Sequence, residues 1–273
     1  MESLSAAEAE AVEAEFMYQY EAAMPAHDQE VLGIATRRLS GGVVLSARTD
    51  PSRYWSKALG LGFEEPVTAD LIDQVLDVYR AEDNPRAVLQ IAPEVLPDDW
   101  EWIARTRGLT ARGRVAKFAA PIGDLAPPGT TGLRIAPVTK DDAEPWATVV
   151  RESFGFPPEG NQGLFAAACG HPQFFPYAAW DGDTIVGGAN LFVHGGIASL
   201  NSDGTAAVSR GRGAQSALIA ARIAKARELG CRWVVAETGQ PADGESNPSY
   251  NNMLRAGLKV IYVRRNYLWR NER

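Results

Sequence analysis

The sequence predicts an α/β fold of the mixed, α+β kind that is divided into two lobes. The chain has 273 residues, more than the roughly 100–200 of a typical domain. A segment rich in proline and glycine, residues 121–132, separates two regions of regular hydrophobic pattern. Near residues 110 and 260, each half closes with a helix, a Gly-Leu pair and a basic strand. We therefore predict two domains, 1–125 and 126–273.

The composition is that of an ordinary globular protein and limits the kinds of partner. Apolar residues make up 45% of the chain and charged residues 22%, so a sizeable core can form. The net charge of -7 argues against a broad surface for nucleic acid or anionic membrane. Cys169 and Cys231 form neither a disulfide framework nor a metal motif. Since neither a signal peptide nor a long apolar run is found, we expect a cytoplasmic protein without membrane contact.

The first half opens with a helix predicted over residues 5–24. Ser5 is a suitable N-cap, and Glu8 follows three residues later as its capping-box partner. Hydrophobic periodicity and turn residues define the elements that follow. These are a strand over 31–39, a turn at 40–42, a strand over 42–48, a helix over 68–82, a strand over 86–93, a helix ending at Gly108 and a basic strand after it.

The second half continues the alternation of helices and strands. Gly-containing turns at 181–183 and 195–196 divide residues 174–208 into three strands. The remaining elements follow from periodicity and from glycine stops. They are a strand over 133–139, helices over 140–154 and 162–170, a helix within 208–230, a strand over 231–239, a helix over 247–257 and one or two strands over 258–269.

A short stretch of arginine and glycine precedes the helix within 208–230. Arg210 and Arg212 alternate with Gly211 and Gly213. A glycine turn before a helix exposes backbone N–H groups, and the missing Cβ atoms let a diphosphate approach them. The alternative is a basic surface turn that only caps a core helix. A dinucleotide fingerprint is disfavoured because Ser216 stands at its third glycine, and a Walker A loop would need Gly-Lys-Ser/Thr.

With these elements in this order, the second half resembles the GCN5-related N-acetyltransferase superfamily. The superfamily's coenzyme A loop reads Q/R-x-x-G-x-G/A and opens a helix; Arg210 and Gly213 fit it, while Gln215 stands where glycine or alanine is usual. The likeness covers residues 130–273. The first half resembles a degenerate copy without the loop, as in tandem members. The resemblance implies, for each lobe, a mostly antiparallel central sheet flanked by helices.

Acetyl-CoA is the cofactor that this resemblance implies. Its diphosphate would lie on the N–H groups of the glycine loop, and its pantetheine beside the strand that ends at residues 205–207, whose N–H groups could also hold the thioester oxygen. Asn247 matches a pantetheine-binding asparagine of the family. The predicted cofactor-binding residues are Thr205, Ala206, Ala207, Arg210, Gly211, Arg212, Gly213, Ala214, Gln215, Ser216 and Asn247.

Acyl transfer to an amine also needs a base, because an ammonium group with a pKa of about 10 must first lose a proton. Asp203 is the first candidate, since strand alternation places it on the face of Thr205. Glu237, at the end of the next strand, is the second. The family's usual acid is a tyrosine at the position of Met253, and Tyr250 lies one helical turn earlier.

The sequence therefore predicts an N-acetyltransferase that moves an acetyl group to a primary amine of a small molecule or peptide. The first lobe would shape the acceptor site, with Trp55, Trp100 and Trp102 either forming an aromatic wall or lying in the core. Two alternatives remain open. One is a non-catalytic module that binds coenzyme A or a partner. The other is a tandem-lobe enzyme that takes its acyl group from an aminoacyl-tRNA, which the acidic charge disfavours.

Overall fold

The computed structural model describes residues 3–125 and 130–272, and within them eight α-helices and eleven strands. The helices are α1 (Ala6–Ala22), α2 (Ala26–Leu32), α3 (Ala69–Ala81), α4 (Trp100–Thr106), α5 (Ala143–Ser153), α6 (Asn161–Ala167), α7 (Ala214–Glu228) and α8 (Pro248–Arg255). The strands are β1 (Ile34–Leu39), β2 (Gly42–Ala47), β3 (Lys57–Leu59), β4 (Arg86–Gln90), β5 (Thr110–Pro121), β6 (Arg134–Pro137), β7 (Phe174–Asp181), β8 (Thr184–His194), β9 (Ile197–Thr205), β10 (Trp233–Gly239) and β11 (Lys259–Arg270).

The local signals in the sequence account for most of these elements. The Ser5 hydroxyl accepts a hydrogen bond from the Glu8 N–H, and the Glu8 carboxylate accepts one from the Ser5 N–H, so the predicted capping box is present. The strand predicted from residue 31 was wrong at its start. Residues 31 and 32 end α2 instead, because Gly33 adopts a left-handed conformation (φ +61°) that terminates this helix.

All eleven strands belong to one sheet, in the order β1-β2-β3-β4-β11-β5-β10-β9-β8-β7-β6. Neighbouring strands are antiparallel except for two pairs, β3 with β4 and β9 with β10. The sheet is therefore mostly antiparallel, as the resemblance implied. Each half contributes one parallel pair, and in each half that pair follows a run of antiparallel strands.

The strands that close the two halves exchange places within this sheet. Strand β5, which ends the first half, lies between β10 and β11, whereas β11 lies between β5 and β4. The chain order of the elements is thus not their order in space. The predicted domain boundary adjoins residues 126–129, which lie outside the described residues. The division into domains 1–125 and 126–273 therefore stays a prediction.

Helix packing places parts of both halves around strands β8 to β10. Helix α1 contacts β8, β9 and α6, and its Phe16 and Met17 share an apolar core with Trp146 of α5 and Phe165 of α6. On another side, α7 and α8 pack against β5, β9 and β10. The first half thereby covers strands of the second half. Within residues 3–125 and 130–272, no helix combines the length and apolar character needed to span a membrane.

Candidate active site

Strands β9 and β10 separate at a bulge in the middle of the sheet. They pair from Ile197 with Trp233 to Leu200 with Ala236, and the pairing ends there. Opposite them, one residue of β8 between Gly188 and Asn190 faces two residues of β9, and Ser202 adopts a φ of +55°. Because a bulge bends its strand, β9 turns away from β10. Two cavities meet at this opening.

The first cavity, which we call the α7 groove, has a volume of about 740 Å³. It is lined by the end of β9 and by the N-termini of α7 and α8. Gly213, the N-cap of α7, has a φ of +81° and offers no side-chain cap to the helix. The first N–H groups of a helix have no partner within the helix, so those of Ala214, Gln215 and Ser216 stand at the groove. Arg210 and Gly211 line it as well.

Three side chains fix the shape of this loop. The Arg212 guanidinium forms an ion pair with Asp181 (2.5 Å), and the Thr131 hydroxyl donates to the Arg212 carbonyl oxygen (2.7 Å). The Gln215 amide donates to the Gly204 carbonyl oxygen (2.9 Å) and to the Thr205 hydroxyl (2.8 Å). Gln215, the departure from the family pattern, therefore ties α7 to the end of β9.

Not every predicted cofactor residue is free to bind a ligand. Thr205 lines the groove, but Ala206 and Ala207 do not, and the Ala206 N–H donates to the Val186 carbonyl oxygen (2.9 Å). The Asn247 amide caps α8 by accepting from two N–H groups, and its NH₂ group donates to the Thr238 hydroxyl and the Gly239 carbonyl oxygen. Asn247 thus lines the groove with both donors in use.

The second cavity, which we call the aromatic cavity, has a volume of about 210 Å³. It adjoins the α7 groove, because Asp203, Ser249 and Met253 line both. Six aromatic side chains form much of its wall, and Ser199, Asp203, Glu237 and Thr238 provide polar groups. The aromatic residues are Phe16, Tyr54, Trp55, Phe154, Phe156 and Phe165.

A buried cluster of charges lies at the polar end of this cavity. Arg264 of β11 forms ion pairs with Glu10 and Glu13 of α1 and with Glu237 of β10, the last at 2.5 Å. Lys117 of β5 pairs with Glu13 and lies 3.7 Å from Glu237. When all five groups are ionised, three carboxylates face two cations. The cluster then carries one excess negative charge, which a single proton would neutralise.

Glu13, Lys117 and Glu237 of this cluster line the aromatic cavity, and Glu237 has the most exposed side chain of the three. Burial, reinforced by the negative charge of Glu13, raises the pKa of Glu237 to about 7. Glu237 also lines the aromatic cavity, and 24% of its side chain is exposed. A carboxyl group that titrates near neutral pH in a cavity is suited to acid–base chemistry.

Asp203, the first candidate base, has a different environment. Its carboxylate forms a two-pronged ion pair with Arg222 of α7, which is fully buried. Burial raises the pKa of Asp203, and the guanidinium opposes that rise. The alternation that placed Asp203 on the face of Thr205 assumed a regular strand, and the bulge at Ser202 breaks that regularity. The contacts therefore favour Glu237 over Asp203.

The other sequence-predicted residues lie in the cavity wall, in the core or at the surface. Tyr250 lines neither cavity, and its ring packs edge-on against Phe118 at 5.0 Å. Trp55 lines the aromatic cavity, and its indole N–H donates to Asn161 (2.8 Å). Trp100 lies in the core of the first half, and Trp102 is exposed on α4. Only Trp55 among these four contributes to the wall of a described cavity.

Sequence reasoning missed most of the aromatic wall and, apart from Glu237, the members of the charge cluster. Phe154, Phe156 and Phe165 lie in a segment, 154–165, that also contains three glycines and two prolines, and this irregular aromatic stretch was the available signal. Nothing comparable marks Arg264 or Lys117, because each is one basic residue in a basic strand. Their burial depends on contacts between distant parts of the chain.

Several solved structures share this fold over most of the chain. A GCN5-related N-acetyltransferase from Kribbella flavida has a TM-score of 0.65 at 16% identity, over 99% of this chain and 98% of that one. A tandem GNAT protein from the clavulanic acid biosynthesis pathway has a TM-score of 0.61 at 13% identity, over 95% and 96% of the two chains. An N-acetyltransferase of the same class from Sphaerobacter thermophilus has a TM-score of 0.62 at 16% identity, over 87% and 75%.

These likenesses concern the fold. No protein-family model matches the sequence, and the search of curated proteins finds no match. The chain has the fold of the GCN5-related N-acetyltransferases, including that of a tandem member, and this confirms the resemblance and the fold class predicted from the sequence.

Proposed function

We propose that the protein is an N-acetyltransferase that moves an acetyl group from acetyl-CoA to the primary amine of a small molecule. One observation carries the proposal. A large groove with an uncapped helix N-terminus meets a small cavity with a titratable carboxyl group, at the point where two central strands separate. The groove suits a long anionic acyl donor, and the cavity suits a compact amine.

The residues of the α7 groove fit a coenzyme A diphosphate. The N–H groups of Ala214 to Ser216 and the positive end of the α7 dipole favour a phosphate, and Arg210 adds a cation at the edge of the groove. At Gly213 a Cβ atom would lie 3.4 Å from the Thr130 carbonyl oxygen, and the positive φ would strain any other residue. When bound, acetyl-CoA supplies the acetyl group as a thioester.

Glu237 acts as the base in this proposal. Its carboxylate takes a proton from the ammonium group of the acceptor, and that proton also neutralises the excess charge of the Arg264 cluster. The amine nitrogen then forms a bond to the acetyl carbon, and the carbon–sulfur bond breaks with its electron pair on sulfur. The second amine proton goes to the thiolate, directly or through solvent, and Glu237 returns its proton to water. Acetamide and thiol are the products.

A pair of glycine substitutions tests the groove. Gly213→Val should raise the Kd for coenzyme A at least about tenfold, or about 1.4 kcal/mol, because the side chain and altered backbone obstruct the phosphate. Gly230→Val is the matched control. Gly230 has a φ of +72° at the other end of α7, with open space around it, so the backbone strain is similar and the groove is untouched. Calorimetry should give one coenzyme A per chain. If Gly213→Val and Gly230→Val bind coenzyme A with equal affinity, this binding site is ruled out.

Turnover separates this proposal from the alternatives. Incubation of the protein with acetyl-CoA and a panel of primary amines should release free thiol at a rate that depends on the amine. Binding of coenzyme A without amine-dependent thiol release would indicate a non-catalytic module. Activity only with an aminoacyl-tRNA as donor would indicate the tandem-lobe alternative.

The first half has a supporting role in this proposal. In the predicted division into domains 1–125 and 126–273, the first supplies Phe16, Tyr54 and Trp55 to the aromatic cavity and Lys117 to the charge cluster. The second supplies the groove. The N-terminal lobe thus shapes the acceptor site and binds no cofactor of its own.

A further inference from the structure

The aromatic cavity has room for one ring and a short chain. Its volume of about 210 Å³ exceeds the roughly 150 Å³ of an engineered cavity that binds benzene. The difference accommodates a few additional heavy atoms. A polyamine chain, a nucleoside or a folded protein terminus would extend well beyond this space, so the cavity itself can enclose only compact molecules.

The walls of the cavity favour an aromatic occupant. Phe154 stacks nearly parallel to Phe165 (6.4 Å between ring centroids, 7° between planes), and Phe156 lies 5.5 Å from Tyr54. Phe154 is 47% exposed and Tyr54 is 41% exposed, although most large apolar side chains of the described chain are buried. Two exposed aromatic rings at the mouth of an apolar cavity provide contact area for a flat apolar ligand.

The charges at the polar end favour a cation and disfavour a carboxylate. Lys117 is the only basic residue among the described residues that line the cavity, and its side chain is 2% exposed and paired with Glu13. No lining cation is therefore available to hold an acid group. Asp203 is paired with Arg222, whereas Glu237 belongs to a cluster with one excess negative charge. An ammonium group neutralises that excess, and a carboxylate would add to it.

We propose that the acceptor is an arylalkylamine, a primary amine joined through a short chain to a single aromatic ring and lacking a carboxylate. The inference rests on the proposed acetyl transfer and specifies its acceptor. The ring contacts Phe154, Phe156 and Trp55, and the amine lies beside Glu237. Aromatic amino acids have the same ring and amine, but their carboxylate meets no free cation.

Binding and turnover test the acceptor separately. Calorimetry in the presence of coenzyme A should show binding of 2-phenylethylamine at least tenfold tighter than that of L-phenylalanine or n-propylamine. Phe154→Ala should weaken 2-phenylethylamine binding at least fivefold and should weaken n-propylamine binding by a smaller factor. Trp102→Ala, which removes an equally exposed ring from α4, is the control and should change neither.

The outcomes distinguish the acceptor class from the reaction. Tighter binding of L-phenylalanine, or of a short peptide, than of 2-phenylethylamine would overturn the arylalkylamine assignment and leave acetyl transfer in place. Equal binding of 2-phenylethylamine by the wild type and by Phe154→Ala would also overturn it. If 2-phenylethylamine binds as expected but no amine gives thiol release, the acceptor site is supported and the proposed reaction fails.

Discussion

Replacement of Glu237 by glutamine tests the proposed base with little change of shape. Glutamine keeps the length of the side chain and its ability to accept a hydrogen bond from Arg264. It removes one negative charge, so two carboxylates, Glu10 and Glu13, then face two cations, Arg264 and Lys117. The variant should therefore fold, and any loss of activity can be assigned to the missing ionisable group.

The raised pKa predicts how the stability of the variant depends on pH. The ordinary pKa of 4.5 is raised to about 7 in the folded protein, so between these values the folded state binds a proton that the unfolded state has lost. The resulting stability is fully present below pH 4.5 and is lost as pH rises through 7. The loss amounts to about 3 kcal/mol at most. Glu237→Gln has no such group. Between pH 4.5 and pH 8, its free energy of unfolding in urea should therefore rise relative to that of the wild type by about the amount that the wild type loses.

The same substitution should also slow catalysis. Loss of a general base lowers kcat by roughly 10²–10⁴, with coenzyme A affinity nearly unchanged. In the wild type, kcat/KM should rise with pH through an ionisation near 7, and the variant should lack that ionisation. A Glu237→Gln protein whose kcat stays within tenfold of wild type, with the same ionisation in its profile, would refute the assignment.

Two further substitutions test the neighbouring buried charges. Asp203→Asn should lower the free energy of unfolding by about 3 kcal/mol, because it leaves the buried Arg222 guanidinium without its counter-charge, while kcat of the folded fraction falls less than tenfold. A larger kcat loss at unchanged stability would restore Asp203 as the base. Glu21→Met should raise the free energy of unfolding by about 1–3 kcal/mol, because neither Glu21 oxygen has a hydrogen-bond partner among the described residues. Because burial raises the pKa of Glu21, the free energy of unfolding measured in urea should increase more at pH 8 than at pH 5. A variant that is less stable than wild type at both pH values would contradict this reasoning.

The local parts of the fold could be predicted because their signals are local. The capping box of Ser5, the turn at 40–42 and the glycine before α7 each act within a few residues. The short β3 (Lys57–Leu59) was missed, because three residues between turns contain no measurable alternation. The bulge at Ser202 was missed because a polar residue in a strand has no distinctive pattern, and that bulge changed the ranking of Asp203 and Glu237.

The exchange of closing strands could not be predicted from the order of elements. A basic strand after a Gly-Leu pair ends each half, and either strand could pair with the sheet of its own half or with that of the other. The choice depends on contacts between residues more than a hundred positions apart, such as Lys117 with Glu13 and Arg264 with Glu10. The sequence pattern therefore defines the strands but not their neighbours.

The exchange has a direct consequence for the proposed base. Glu237 lies on β10, and the cations beside it come from β5 and β11, the two exchanged strands. Its other strong neighbour, Glu13, comes from α1 of the first half and raises its pKa. The ionisation of Glu237 near pH 7 thus depends on groups from both halves of the chain. In the proposed mechanism, a first half that binds no cofactor would still be required for catalysis, because it tunes the carboxyl group that we propose as the proton acceptor.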